Sequence, residues 1–167
     1  MNSTTKRVPR MVKLIGLSLS LCALALALPR AAVLAQGKKD ESQVKFTASA
    51  TKPDKDGRQK VTITMDINSG FYAYANPVNN EDLEPAQTVV KIAGAQKLDD
   101  VKVDYPQGKK KMTGELSYSI YEGKFDITAT VKRAAGDTGP LDVTVKFSVC
   151  NVKGFCLPPE QVKLQVK

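Results

Sequence analysis

Cys150 and Cys156 are the residues whose type and spacing could do chemistry in this sequence. The stretch between them, Asn151 to Phe155, contains Gly154, which permits a left-handed turn, so the segment can fold back on itself. Cysteines opposed across the base of such a loop can meet disulfide geometry, because facing antiparallel positions lie about 4.5–5.5 Å apart at Cα. Closing a loop of seven residues removes little unfolded-state entropy, worth about 2.4 kcal/mol. A short bridge at a sheet edge is also more easily reduced than one inside a core. The pair is therefore either a staple or a thiol–disulfide exchange site, and residue chemistry alone leaves the two readings level. Neighbouring side chains bear on the choice. Lys153 could lower a thiol pKa by stabilising the thiolate, or be a wetted loop lysine. Pro158 and Pro159 cannot donate ladder hydrogen bonds, so they keep the edge open or simply end a strand. Phe155, next to Cys156, lines the same segment.

Other chemistries drop out. Histidine is absent, which removes Ser-His-Asp and Cys-His catalysis and imidazole-ligated zinc. Two cysteines cannot build a four-thiolate metal site either, so the sequence calls for no metal and no organic cofactor. A hydrolase is a poor third reading for the same reason.

The N-terminus explains most of the charge. Lys6, Arg7, Arg10 and Lys13 precede an apolar run from Leu14 to Leu28, with Pro29 after it and Val33-Leu34-Ala35 as a small-residue cleavage signal. This is the layout of a secretory signal peptide over residues 1–35, too short for a comfortable bilayer span. Cys22 lies inside that run behind Leu21, a poor lipid-attachment context, and is expected to leave with the peptide. The chain carries 25 basic and 17 acidic residues; five of the basic ones precede residue 36, so the exported product is near +3. No nucleic-acid partner is expected from so small an excess. Lys109-Lys110-Lys111 is the one dense basic run left, read as a solvated loop or as a docking patch for an acidic partner. Export and an even pair of cysteines together point to a disulfide.

Positioning the pair falls to short alternating segments. After a polar lead at 36–43, residues 44–167 form one domain of about nine short antiparallel strands. Val44 to Ala48, Val61 to Ile67, Phe71 to Ala75, Thr88 to Ile92 and Val101 to Tyr105 are the first five. Leu116 to Tyr121 and Phe125 to Val131 flank Glu122-Gly123-Lys124, read as a tight hairpin turn. Leu141 to Val149 alternates most clearly, and Val162 to Val166 closes the chain. Period 2 buries one face of each strand. Turn material such as Asn68-Ser69-Gly70 and Pro106-Gln107-Gly108 separates the strands, and the stretch from Asn79 to Gln87 has room for a helical turn at most. The pattern predicts an all-β, two-sheet sandwich.

The segment from Val149 to Pro159 resembles the cysteine hairpin of the N-terminal periplasmic domain of the DsbD thiol:disulfide interchange proteins. Gly70-Phe71-Tyr72-Ala73-Tyr74 is similar to that family's Gly-aromatic-Tyr-x-Tyr strand, and Tyr105-Pro106-Gln107-Gly108 to its middle. The likeness implies an immunoglobulin-like domain that relays reducing equivalents in the periplasm. Its partners would be thioredoxin-like or disulfide-isomerase proteins and, since this chain carries no electron-carrying membrane segment, a separate membrane donor. Cys156 would form the mixed disulfides, Cys150 would resolve them, and Tyr72 and Tyr74 would line the site. Where the family has an acidic-aromatic cap loop, this chain reads Lys109 to Leu116, leaving Met112 or Leu116 to cap. The competing reading is a non-catalytic immunoglobulin-like binding or assembly module with a structural hairpin disulfide.

Overall fold

In a computed structural model describing residues 42–167, the alternation of the sequence becomes an alternation of burial. The signal segment and most of the polar lead lie outside the described residues. In β2 (Arg58–Ile67), Val61, Ile63, Met65 and Ile67 point inward while Lys60 and Asp66 face solvent. In β9 (Leu141–Phe147), Leu141, Val143, Val145 and Phe147 do the same. These side chains meet in one core, with Ile127, Ala129 and Val131 of β8 (Lys124–Lys132) completing it. Each fully buried aliphatic side chain there contributes about 1.5–3 kcal/mol.

Three antiparallel sheets surround that core. The first runs β1 (Val44–Ala50), β2, β8 and β5 (Asp100–Asp104). The second runs β11 (Glu160–Val166), β9 and β4 (Val89–Gly94). The third, which carries the cysteines, runs β10 (Val149–Asn151), β3 (Phe71–Tyr74), β7 (Leu116–Tyr121) and β6 (Lys109–Thr113). The architecture is an all-β immunoglobulin-like sandwich. Its single helical element among the described residues is a 3-10 turn, Glu81–Ala86, capped by the Asn80 side chain accepting from the Asp82 N–H at 3.1 Å.

Three expectations are corrected. Glu122-Gly123-Lys124 is not a hairpin turn: β7 pairs with β3 and β6, whereas β8 pairs with β2 and β5. The segment instead carries the chain from one sheet to another, with Gly123 at φ 66° and its carbonyl accepting from the Ile67 N–H at 3.0 Å. Tyr121 and Phe125 stack across it with ring centroids 4.5 Å apart, so apolar burial on both sides of the turn outweighs local pairing. Lys109 to Lys111 form strand β6 rather than a loop, because Met112, Thr113 and the three lysines find a full ladder along β7. Finally, Leu141 to Val149 is not one strand. It breaks at Ser148, and Phe147, Ser148, Val149 and Cys150 are all buried in succession, which a straight strand with one wet face cannot do. The break passes the chain from the second sheet to the third. Eleven strands result among the described residues, two more than expected.

Candidate functional site

The third sheet has two faces with different tasks. Ala73, Tyr121 and Val149 point into the main core. Tyr72, Tyr118, Ile120 and Cys150 point the other way and form a second apolar cluster with Val78, against which Tyr74 and Leu83 pack. The ladder explains the grouping, since Cys150 faces Tyr72 and Tyr74 faces Ile120, so their side chains share a face. Tyr121 anchors the loop that brings Val78 over this cluster: its hydroxyl accepts from the Asn76 N–H at 3.2 Å and lies 2.9 Å from the Pro106 carbonyl. Gly108 is required nearby, because a Cβ there would stand 2.6 Å from that of Ala75.

The cysteine loop is built by its own backbone and by Asn151. The Asn151 N–H donates to the Phe155 carbonyl at 2.8 Å, and the Leu157 N–H to the Val149 carbonyl at 2.8 Å. Those two bonds flank a bridge in which Cys150 and Cys156 face each other. Inside the loop the Asn151 carboxamide oxygen accepts from the N–H groups of Lys153 and Phe155, both at 3.0 Å. This is a side-chain turn of the kind asparagine favours. Gly154 takes φ 90°, a region that other residues enter only with strain.

Cys150 and Cys156 form a disulfide with an S–S distance of 2.00 Å and a Cα separation of 3.8 Å. Its two ends differ in environment. Cys150 is fully buried in the tyrosine cluster, whereas Cys156 is exposed. The Tyr74 hydroxyl stands between them, 3.5 Å from Cys150 Sγ and 3.8 Å from Cys156 Sγ. A disulfide sulfur has no proton, so the phenol is the donor, and its one proton can reach either sulfur. Burial, then the Coulombic effect of Tyr118, pushes the Tyr74 phenol above its ordinary value. Burial, followed by the hydrogen bond with Tyr118, does the same more strongly for Tyr72. Both are therefore neutral at physiological pH, and the Tyr74 hydroxyl keeps the proton it can donate. The Tyr72 and Tyr118 hydroxyls lie 3.4 Å apart, and Tyr118 reaches Thr113 Oγ1 at 3.0 Å.

Of the residues singled out from sequence, Cys150, Cys156, Tyr72 and Tyr74 come together. Lys153, Phe155 and Pro158 sit on the exposed rim, with Phe155 67% accessible. Lys153 makes no ion pair among the described residues, and its backbone rather than its ammonium is engaged. Met112 and Leu116 are exposed, and neither packs against the cluster that holds Cys150. Instead Lys111 lays its Nζ over the Tyr72 ring, 4.7 Å from the centroid. Sequence reasoning passed over Tyr118, Val78, Leu83 and the turn-forming Asn151. Alternation along β7 could have placed Tyr118 with Ile120, and an asparagine directly after a cysteine is a turn signal; Val78 and Leu83 carry no such mark.

A β-sandwich with a disulfide between one buried and one solvent-facing cysteine at a sheet edge, beside a tyrosine cluster, defines a class of disulfide-bearing β domains. The family model described as "Thiol:disulfide interchange protein DsbD, N-terminal" matches residues 38–167, and the chain belongs to that family. The N-terminal periplasmic domain of ScsB from Proteus mirabilis has the same fold, with a TM-score of 0.54 at 17% identity. That match covers 76% of this chain but 46% of the ScsB chain, so the present chain spans about half of its length. The reduced DsbD N-terminal domain of Neisseria meningitidis aligns at 19% identity over 73% of this chain and 84% of its own, with a TM-score of 0.47. A structure of the complex between the DsbD and PilB N-terminal domains from the same organism aligns at 16% identity, covering 72% and 80% of the two chains, with a TM-score of 0.44. No curated protein matches the chain.

Proposed function

We propose that this protein is an exported, periplasmic thiol–disulfide exchange domain that passes reducing equivalents between thioredoxin-like partners through Cys150 and Cys156. The observation that carries the reading is the asymmetry of the pair: one sulfur is exposed to a partner, the other is buried beside a hydroxyl donor. A purely structural bridge has no need of either feature. Membership of the DsbD N-terminal family supports the same reading.

In the oxidised protein, a donor thiolate attacks the exposed Cys156 Sγ. The Cys150–Cys156 bond breaks, a mixed disulfide forms between donor and Cys156, and Cys150 departs as a thiolate. The Tyr74 hydroxyl, already within reach of both sulfurs, donates to whichever carries the charge. The donor's second thiolate then attacks its own sulfur in the mixed disulfide and frees Cys156. The donor is oxidised by two electrons and this chain is reduced by two. Transfer onward reverses the roles: the Cys156 thiolate attacks a partner disulfide, and Cys150 resolves the mixed disulfide while the partner takes both electrons as two thiols. Tyr72, Tyr74, Phe155, Pro158 and Lys153 frame the point of attack.

The test is capture. Cys150→Ser should leave Cys156 joined to an oxidised thioredoxin-like partner as a trapped mixed disulfide, and Cys156→Ser should trap none. A Cys150→Ser protein that captures no such partner, together with a reduction potential below about −300 mV for the intact pair, would mean a staple in a binding module.

A further inference from the structure

Strand register places two lysines of β6 on the disulfide's face of the sheet. Lys111 faces Tyr118, and Lys109 faces Ile120, across the β6–β7 ladder; Tyr118 and Ile120 belong to the cluster that holds Cys150. Lys110 falls on the opposite face by the same alternation. Lys109 pairs with Glu122 at 3.3 Å, both side chains exposed. Lys111 makes no ion pair among the described residues, and its ammonium rests on the ring of Tyr72, the residue directly opposite Cys150. The nearby 3-10 turn lends Leu83 to the cluster while its Glu81, Asp82 and Glu84 are exposed.

We propose that Lys111 places a positive charge on the exchange face beside Tyr72, set against the carboxylates of the 3-10 turn, and favours partners that carry carboxylates beside their reactive cysteine. The inference rests on the exchange reading above. Lysines on an edge strand also discourage strand-to-strand aggregation, which accounts for Lys110. It does not require a lysine to fold inward onto an aromatic ring beside a disulfide. A cation held there attracts an approaching anion and favours the thiolate over the thiol. The contact with the ring holds the flexible stem in place for that purpose.

Small thiols of different charge test this on the whole protein. An attacking thiolate forms a mixed disulfide with Cys156 and expels the Cys150 thiolate. A second molecule of the same thiol then displaces Cys156, so two thiols become one disulfide and this chain gains two electrons. The rates are measured for 3-mercaptopropionate, 2-mercaptoethanol and cysteamine, normalised to thiolate, with the parent and with Lys111→Met. The carboxylate-to-ammonium rate ratio should fall by about threefold or more in the variant at low salt. In the parent the same ratio should fall as ionic strength rises from about 0.01 M to about 1 M. An unchanged ratio in a variant that melts like the parent overturns the proposal, and edge protection would then be the whole role of Lys111. Should Lys111→Met not fold, the parent's salt dependence decides: a ratio indifferent to salt overturns the proposal. A disulfide that none of the three thiols reduces refutes the exchange reading and this inference together, whereas reduction with a salt-indifferent, variant-indifferent ratio refutes the inference alone.

Discussion

Replacing Tyr74 with phenylalanine removes one oxygen and little else, because the ring packs edge-on to Tyr72 at 6.0 Å and tilted against Tyr118 at 5.6 Å without help from the hydroxyl. What is lost is a donor 3.5 Å from Cys150 Sγ and 3.8 Å from Cys156 Sγ. A hydrogen bond to a charged group is worth about 1.5–3 kcal/mol. Sulfur is a diffuse acceptor, these distances are long, and Tyr74 is only partly buried, so about 1–1.5 kcal/mol is the appropriate figure. That corresponds to about one pKa unit on the thiol that forms the thiolate. The direction follows from which state is stabilised. The hydroxyl favours the thiolate, so its removal raises the thiol pKa. It also disfavours the reduced protein where the thiolate is populated, which makes the potential more negative by up to about 30 mV. The assay is the rate of alkylation of the reduced protein by iodoacetamide against pH. Tyr74→Phe should move the midpoint upward by about one unit. A midpoint that stays in place, in a protein that melts as the parent does, would refute the assignment of the Tyr74 hydroxyl as thiolate donor. It would leave Tyr74 as a packing residue only.

Asn151→Ala removes the acceptor for two loop N–H groups; it should cost about 1–2 kcal/mol and speed amide exchange at Lys153 and Phe155 in particular. Uniform exchange rates across the domain would count against a dedicated turn. Stability should also fall at high pH. Tyr72, Tyr74, Tyr105 and Tyr121 all have folded-state values above the ordinary phenol value of 10.0, each chiefly through burial. Their contribution is complete below about pH 10, where unfolded phenols keep their protons. It declines as pH rises toward the folded-state values, because the unfolded chain then binds fewer protons than the native one. Melting temperatures at pH 9, 10 and 11 check this, and a melt that does not fall above pH 10 would contradict it.

The alternating segments, the cysteine pair and the lack of histidine were legible without a structure, because each is a local property of the chain. Val61 to Ile67 and Leu141 to Phe147 declare their buried faces by period 2. Cys150 and Cys156 declare a tight loop by their spacing and by Gly154. Sheet membership was not legible. Whether residues 122–124 turn back within one sheet or cross to another depends on what Tyr121 and Phe125 bury against, and that partner lies far away in sequence. The same holds for Ser148, where β9 and β10 part, and for β6, a lysine-rich strand whose pairing with β7 only the assembled sheet makes worthwhile. Tertiary structure alone decided that one cysteine would be buried and the other exposed, that the Tyr74 hydroxyl would stand between them, and that Lys111 would lie on Tyr72. Those relations join residues from β3, β6 and β10. Burial and Coulombic interaction depend on distance in space, and the linear order of the chain does not record that distance.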